Sequence, residues 1–196
     1  MGNLIKFISF EEFEKIYKAE KDKRVKLAIL LGYGSGLRIS EIVGFQRTTK
    51  RKTNKETKKV EFTEDKSFIP ALTAEMVDLP AHQIKLGDAK GKKWRITITP
   101  PSLTPEMLKL LPIKMPRRTL QFRFYQLTKR VLGKRLNFHT LRHGFGNYQA
   151  NVLKLPLPIV QQMMGHSRLD TTGIYTKANP EYAISQAWKA MTGEGK

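Results

Sequence analysis

Four short stretches of this chain carry side chains able to handle an anion or a proton. HTLRHG sets His139 and Arg142 three residues apart, so on a helix they share a face. A proton acceptor would then stand beside a guanidinium that grips an anion through two parallel N–H bonds. In so basic a chain, an isolated arginine at that spacing is more often a solvated surface residue. His143 falls on a different side, as a packed or solvated bystander. SGLRISEIVGF puts Arg38 at a helix start behind a glycine-rich bend, where free backbone N–H groups favour an anion. Glu41, three residues on, is placed to pair with it. AKGKKWR sets Lys90 at a hairpin tip. Such a lysine is usually only solvated, yet one that reaches into a cleft can give a proton to a leaving oxygen. Lys92, Lys93 and Arg95 are assigned to a phosphate backbone or to solvent.

The fourth stretch is MGHSRLDTTGIYTK. The hydroxyl of Tyr175 has an ordinary pKa of about 10, so it attacks poorly unless a base and cations assist it. Core packing explains a single tyrosine there equally well. Gly165 reads as the end of one helix, and Ser167 with Asp170 as the cap of the next. That bend presents His166 at a helix junction and Tyr175 about two turns further along.

The elements that must position these groups are mostly helices. Ser9-Phe10-Glu11-Glu12 is a capping-box pattern opening a helix through Lys18. A second helix spans 23–33 on Val25, Leu27, Ala28, Leu30 and Leu31, until Gly32, Gly34 and Gly36 break it before a third at 38–43. Residues 47–59, RTTKRKTNKETKK, hold seven cations and no apolar side chain, which predicts a solvated basic loop. QIKL and KWRITIT alternate as strands do, and the turn chemistry of 87–91 joins them into a β-hairpin. Residues 114–135 interleave eight cations with Leu120, Phe122, Phe124, Tyr125, Leu127 and Val131, as suits a helix with one packed and one phosphate-facing side. Further helices are expected at 139–152, 157–164, 168–175 and 180–191. The fold class is therefore mainly α with a small antiparallel β-sheet (α+β), in one domain.

Charge narrows the class of partner. Thirty-six Lys and Arg against 17 Asp and Glu leave a formal +19 in 196 residues, the electrostatic footprint of a nucleic-acid binder. Ribosomal and membrane-surface proteins share that footprint. The chain contains no cysteine, which removes disulfides, thiolate metal sites and thiol nucleophiles. No apolar run approaches the roughly 20 residues of a membrane span, and MGNLIKFISFEEF lacks the layout of a signal peptide. A cytoplasmic protein, nucleoid-associated and encoded by a prokaryote, virus or plasmid, is the expectation.

Taken in order, GLRISEIVGF, AKGKKWRITI, HTLRHGFGNYQAN and MGHSRLDTTGIYTK resemble the catalytic domain of tyrosine recombinases, the phage-integrase and Xer-type family. The resemblance runs from about Phe10 to Tyr182. Each motif alone is weak; the ordered set is specific. It implies that Arg38 is the first arginine, supported by Glu41, and that Lys90 is the hairpin lysine. His139 and Arg142 form the H-x-x-R pair, His166 is the second histidine and Tyr175 the nucleophile. It further implies the tyrosine-recombinase catalytic-domain fold and a site-specific recombinase or integrase that cleaves and rejoins DNA through a 3′-phosphotyrosyl intermediate. No cofactor, metal or nucleotide is implied. The implied partner is double-stranded DNA, with a homo-tetramer on paired sites and a monomer possible without DNA. Residues 1–196 are expected to form a single catalytic domain, without the family's N-terminal core-DNA-binding domain. A basic insertion at about 46–71 and a tail helix at about 180–191 complete the organisation. A type IB topoisomerase-like nicking-closing enzyme and a non-catalytic basic nucleic-acid-binding module are the alternatives.

Overall fold

The computed structural model describes residues 7–53, 60–87 and 95–165. The first helix, α1, spans Phe10–Ala19, and its capping box forms as expected: Glu12 N donates to Ser9 Oγ at 3.2 Å, and Ser9 N to the Glu12 carboxylate at 3.3 Å. Helix α2 spans Lys23–Gly34 and includes Gly32 and Gly34, two of the three glycines expected to break it. It is buried on nearly every side, from Val25 through Tyr33, as befits the central helix of a bundle. Helix α3 is short, Ile39–Val43.

Through Thr53 the basic stretch after α3 is a strand and not the solvated basic loop its composition predicted; 54–59 lie outside the described residues. Phe45–Thr53 (β1) and Val60–Ile69 (β2) pair antiparallel, with an irregularity between Arg47 and Thr49. Threonines in β1 and Val60, Phe62 and Phe68 in β2 are good strand formers. Lys52 stands opposite Glu61 in the register. At the base of the ribbon two guanidinium groups lie over the Phe45 ring, Arg117 at 4.6 Å and Arg47 at 5.3 Å from its centroid.

A second sheet carries strands β3 (Val77–Asp78), β4 (Gln83–Leu86) and β5 (Arg95–Ile98) in that order, all antiparallel. The β4–β5 pair is the expected hairpin; its tip, with Lys90, lies outside the described residues. Thr97 Oγ1 donates to the Ser35 carbonyl at 2.8 Å, fastening this sheet to the end of α2. After a single turn of helix, α4 (Pro105–Leu108), come α5 (Arg117–Leu132), α6 (His139–Asn147) and α7 (Leu157–Met164). Residues Tyr148–Val152 continue α6 as a π-helical turn. Helix α5 packs as expected, burying Leu120, Phe124 and Leu127 while Phe122 stays exposed.

One core joins α1, α2, α5 and the start of α6, and a smaller cluster holds Phe145, Ala150, Val160 and Met164. The architecture is the expected mainly α fold with small antiparallel sheets. The helices expected at 168–175 and 180–191 lie outside the described residues. Among the described residues, no helix is long and apolar enough to cross a membrane.

Candidate active site

Arg38 is the N-cap of α3, and Glu41 binds it twice. The Arg38 backbone N–H donates to Glu41 Oε2 at 2.7 Å, and Arg38 Nη1 donates to Oε1 at 2.9 Å. One carboxylate thus caps the helix and orients the guanidinium, whose side chain stays 39% exposed. The bend before it turns at Gly36, which has φ of +65°. The Gly36 carbonyl accepts a 2.6 Å bond from Arg142 Nη1.

Arg142 is not the surface residue that its spacing alone favoured. It is 1% exposed, the largest fully buried side chain described. Its Nη1 holds the Gly36 carbonyl and its Nη2 the Met164 carbonyl at the end of α7. Burying a charge requires such partners. Helix α6 aims this side chain because its first turn is fixed from outside. Phe138 N donates to Gln121 Oε1 of α5 at 3.1 Å, and Thr140 N to Asn137 Oδ1 at 3.2 Å. The Gly36 bond ties α6 to the residues just before Arg38, so the two arginines of the motif belong to one constellation.

His139 opens α6 and keeps an exposed edge. Burial of the rest of its ring pushes its pKa down to about 4, and His143, Arg142 and Arg38 act in the same direction against a smaller pull from Glu41. The open edge tempers the desolvation, but every nearby cation favours the neutral ring. A neutral imidazole at physiological pH is the form able to accept a proton. His143 is not set apart from it: the rings meet edge to face at 4.6 Å. A residue four positions along a helix lies only about 40° around from the first, on the same side. Burial and Arg142 lower the His143 pKa as well.

These shifts have a consequence for stability. Between about pH 4 and the unperturbed value of about 6.5, the unfolded chain binds more protons at position 139 than the folded one. Stability is therefore fully present above that window and falls as the pH drops through it. The melting temperature of the DNA-free protein is expected to decline from pH 6.5 to pH 4, less steeply for His139→Gln. An identical slope in both proteins would remove His139 as the source.

Arg95 is a residue that sequence reasoning misplaced. It was assigned to a phosphate backbone or to solvent, but its side chain is 10% exposed and its Nη2 donates to Glu41 Oε2 at 2.6 Å. Burial lowers its pKa from the ordinary value, and Glu41 opposes that. Glu41 therefore sits between two guanidinium groups. Among the described residues the structure brings together Arg38, Glu41, His139 and Arg142, with Arg95 and His143 added. Lys90, His166 and Tyr175 lie outside the described residues. Among the described residues, no group of three or more His, Cys, Asp or Glu side chains is placed to hold a metal ion.

The phage integrase family model matches residues 6–182. This chain belongs to the phage integrase family. It is 28% identical over 184 residues to the tyrosine recombinase XerA of Pyrococcus furiosus, covering 91% of this chain and 59% of that protein. The chain thus spans less than two thirds of that curated relative. Among solved structures, the crystal structure of XerA recombinase matches with a TM-score of 0.64 at 19% identity, covering 97% of this chain and 66% of the other. XerH site-specific recombinase bound to difH substrate, in a pre-cleavage complex, matches with a TM-score of 0.53 at 21% identity, over 94% of this chain and 55% of that one. The fold is that of the tyrosine-recombinase catalytic domain.

Proposed function

We propose that this chain is the catalytic domain of a site-specific tyrosine recombinase acting on double-stranded DNA. The observation that carries the reading is the bond from buried Arg142 to the Gly36 carbonyl. It joins the H-x-x-R helix to the bend that presents Arg38, with His139 kept neutral beside both. Two arginines converging from different elements suit a phosphodiester, whose non-bridging oxygens take up charge in the transition state. Membership of the family, the net charge of +19 and the circular intermediate DNA held by the Tn1549 transposon integrase in its complex support DNA as the substrate.

The chemistry balances with protein groups alone. Tyr175 Oη attacks the phosphorus in line, a P–O bond to tyrosine forms, and the bond to the 5′ oxygen breaks. His139 accepts the tyrosine proton, and Lys90 supplies one to the departing 5′ oxygen. His166 adds a hydrogen bond to the phosphate. Arg38 and Arg142 neutralise the non-bridging oxygens. The phosphotyrosine keeps the bond energy, so a 5′-hydroxyl from another strand can reverse the step and exchange strands. Four copies of the chain on two paired duplexes are the assembly that such an exchange requires.

A nicked suicide duplex tests the reading. Wild-type protein is expected to leave an SDS-resistant DNA adduct, with Tyr175→Phe leaving none and a chelator having no effect. Absence of any Tyr175-dependent adduct would leave only a basic binding module. Adduct formation and relaxation without exchange between two duplexes would instead favour the topoisomerase-like alternative.

A further inference from the structure

We propose that Arg95 is a positioning residue for the phosphate site, tying Glu41, and through it Arg38, to the C-terminus of α7. This rests on the recombinase reading for its catalytic half only. Arg95 projects from β5 and spends its guanidinium on two partners remote in sequence. Nη2 donates to Glu41 Oε2 at 2.6 Å, and Nη1 donates to the Met163 carbonyl. Arg142, from α6, donates to the next carbonyl, Met164. Two cations from different elements thus hold consecutive carbonyls at the end of α7, where the helix dipole is negative. The chain leaves that grip at Gly165, which has φ of +61° and passes so close to the Arg95 side chain that a Cβ there would collide with Cδ. His166 follows directly in the sequence.

A buried arginine is costly unless its hydrogen bonds are satisfied, and an apolar side chain of similar volume often serves packing as well. Packing therefore does not account for a charge at this position. A planar fork with several donors can meet a carboxylate and a carbonyl in one fixed geometry, which a lysine ammonium cannot. Arg95 transmits position rather than touching the phosphate. It holds Glu41 at Oε2, the oxygen that also accepts from the Arg38 backbone N–H, and sets where α7 ends relative to that pair.

The test uses the full chain and two readouts. In hydrogen exchange of the DNA-free protein, Arg95→Met is expected to speed exchange of the amides at 160–165 and leave α2 unchanged. Unchanged exchange at 160–165 overturns the anchoring of α7. In single-turnover cleavage of a nicked duplex bearing the mapped cleavage site, the same variant loses on the order of a hundredfold in rate, with duplex affinity within about twofold of wild type. An affinity loss as large as the rate loss makes Arg95 a plain DNA contact and overturns the proposal. Combined with Glu41→Gln, the double variant is expected to lose no more than about threefold beyond the worse single one. Multiplying losses overturn the route through Glu41. Arg95→Lys, which keeps the charge but not the fork, carries both measurements if the methionine variant does not fold. It is expected to speed the same amides and to lose about tenfold in rate. Wild-type behaviour from it shows that the fork is not needed and overturns the proposal. A wild-type chain without a Tyr175-dependent adduct sinks the recombinase reading and the catalytic half here, while the exchange result still decides the tie between β5 and α7.

Discussion

Arg142→Lys is expected to lose a hundred- to a thousandfold in the rate of DNA cleavage, the order seen when one preorganised donor to a developing oxyanion is removed. The size follows from how the residue is held. The residue is 1% exposed and its guanidinium is fixed by the Gly36 and Met164 carbonyls, so it is oriented before any phosphate arrives. A lysine ammonium concentrates its donors at one nitrogen and cannot hold both carbonyls and still present a parallel pair of N–H groups. One carbonyl is left unpaired in a buried place, at a cost of about 1–3 kcal/mol. That cost lowers the melting temperature by several degrees, at about 2–4 °C per kcal/mol for a chain of this size. The variant is therefore to be compared at a temperature where both proteins are folded. Single-turnover cleavage of a suicide duplex measures the rate. A wild-type rate beside a lowered melting temperature would make Arg142 purely structural.

What the sequence made legible follows the range of the interaction. Arg38 with Glu41 and His139 with Arg142 are pairs three residues apart, and helix geometry brings such residues together whatever the rest of the fold does. Arg95 was misread because its partners are 54 and 68 residues away. Nothing in GKKWRIT marks Arg95 as a cation that turns inward. His143 was misplaced for a smaller reason: positions four apart on a helix lie on the same side, as positions three apart do, and both neighbours crowd His139. The β1–β2 ribbon was lost to composition. Its cations read as a solvated loop, whereas pairing depends on the register of β2, which opposes Glu61 to Lys52 and Phe62 to Arg51. The burial of Arg142 was hidden too, since it depends on the bend at Gly36 and the end of α7 meeting around α6. In each case the residue type was visible and the partner was not.

Gly36→Ala is expected to destabilise the protein by about 2–5 kcal/mol and to lower its melting temperature by roughly 5–15 °C. Two separate penalties add at this position. A φ of +65° lies in the left-handed region, which costs a side-chain-bearing residue about 1–2 kcal/mol. A Cβ at this position would also stand 2.5 Å from Phe145 Cδ1 and 2.9 Å from Cε1. Phe145 is 1% exposed within the small cluster of Val160 and Met164, so the ring has little room to yield, and overpacking typically costs about 1–3 kcal/mol. Gly133 separates the two terms. It has φ of +68°, and a Cβ there would meet nothing within 4 Å, so Gly133→Ala incurs the backbone strain alone, about 1–2 kcal/mol. The excess loss in Gly36→Ala over Gly133→Ala then measures the clash with Phe145. Cleavage should separate the variants further. Relief of the clash moves the Gly36 carbonyl that anchors Arg142 and the bend that presents Arg38, whereas Gly133 ends α5 away from both. Equal melting temperatures for the two variants would mean that the bend yields freely, and that Arg142 is positioned by α6 and α7 without it.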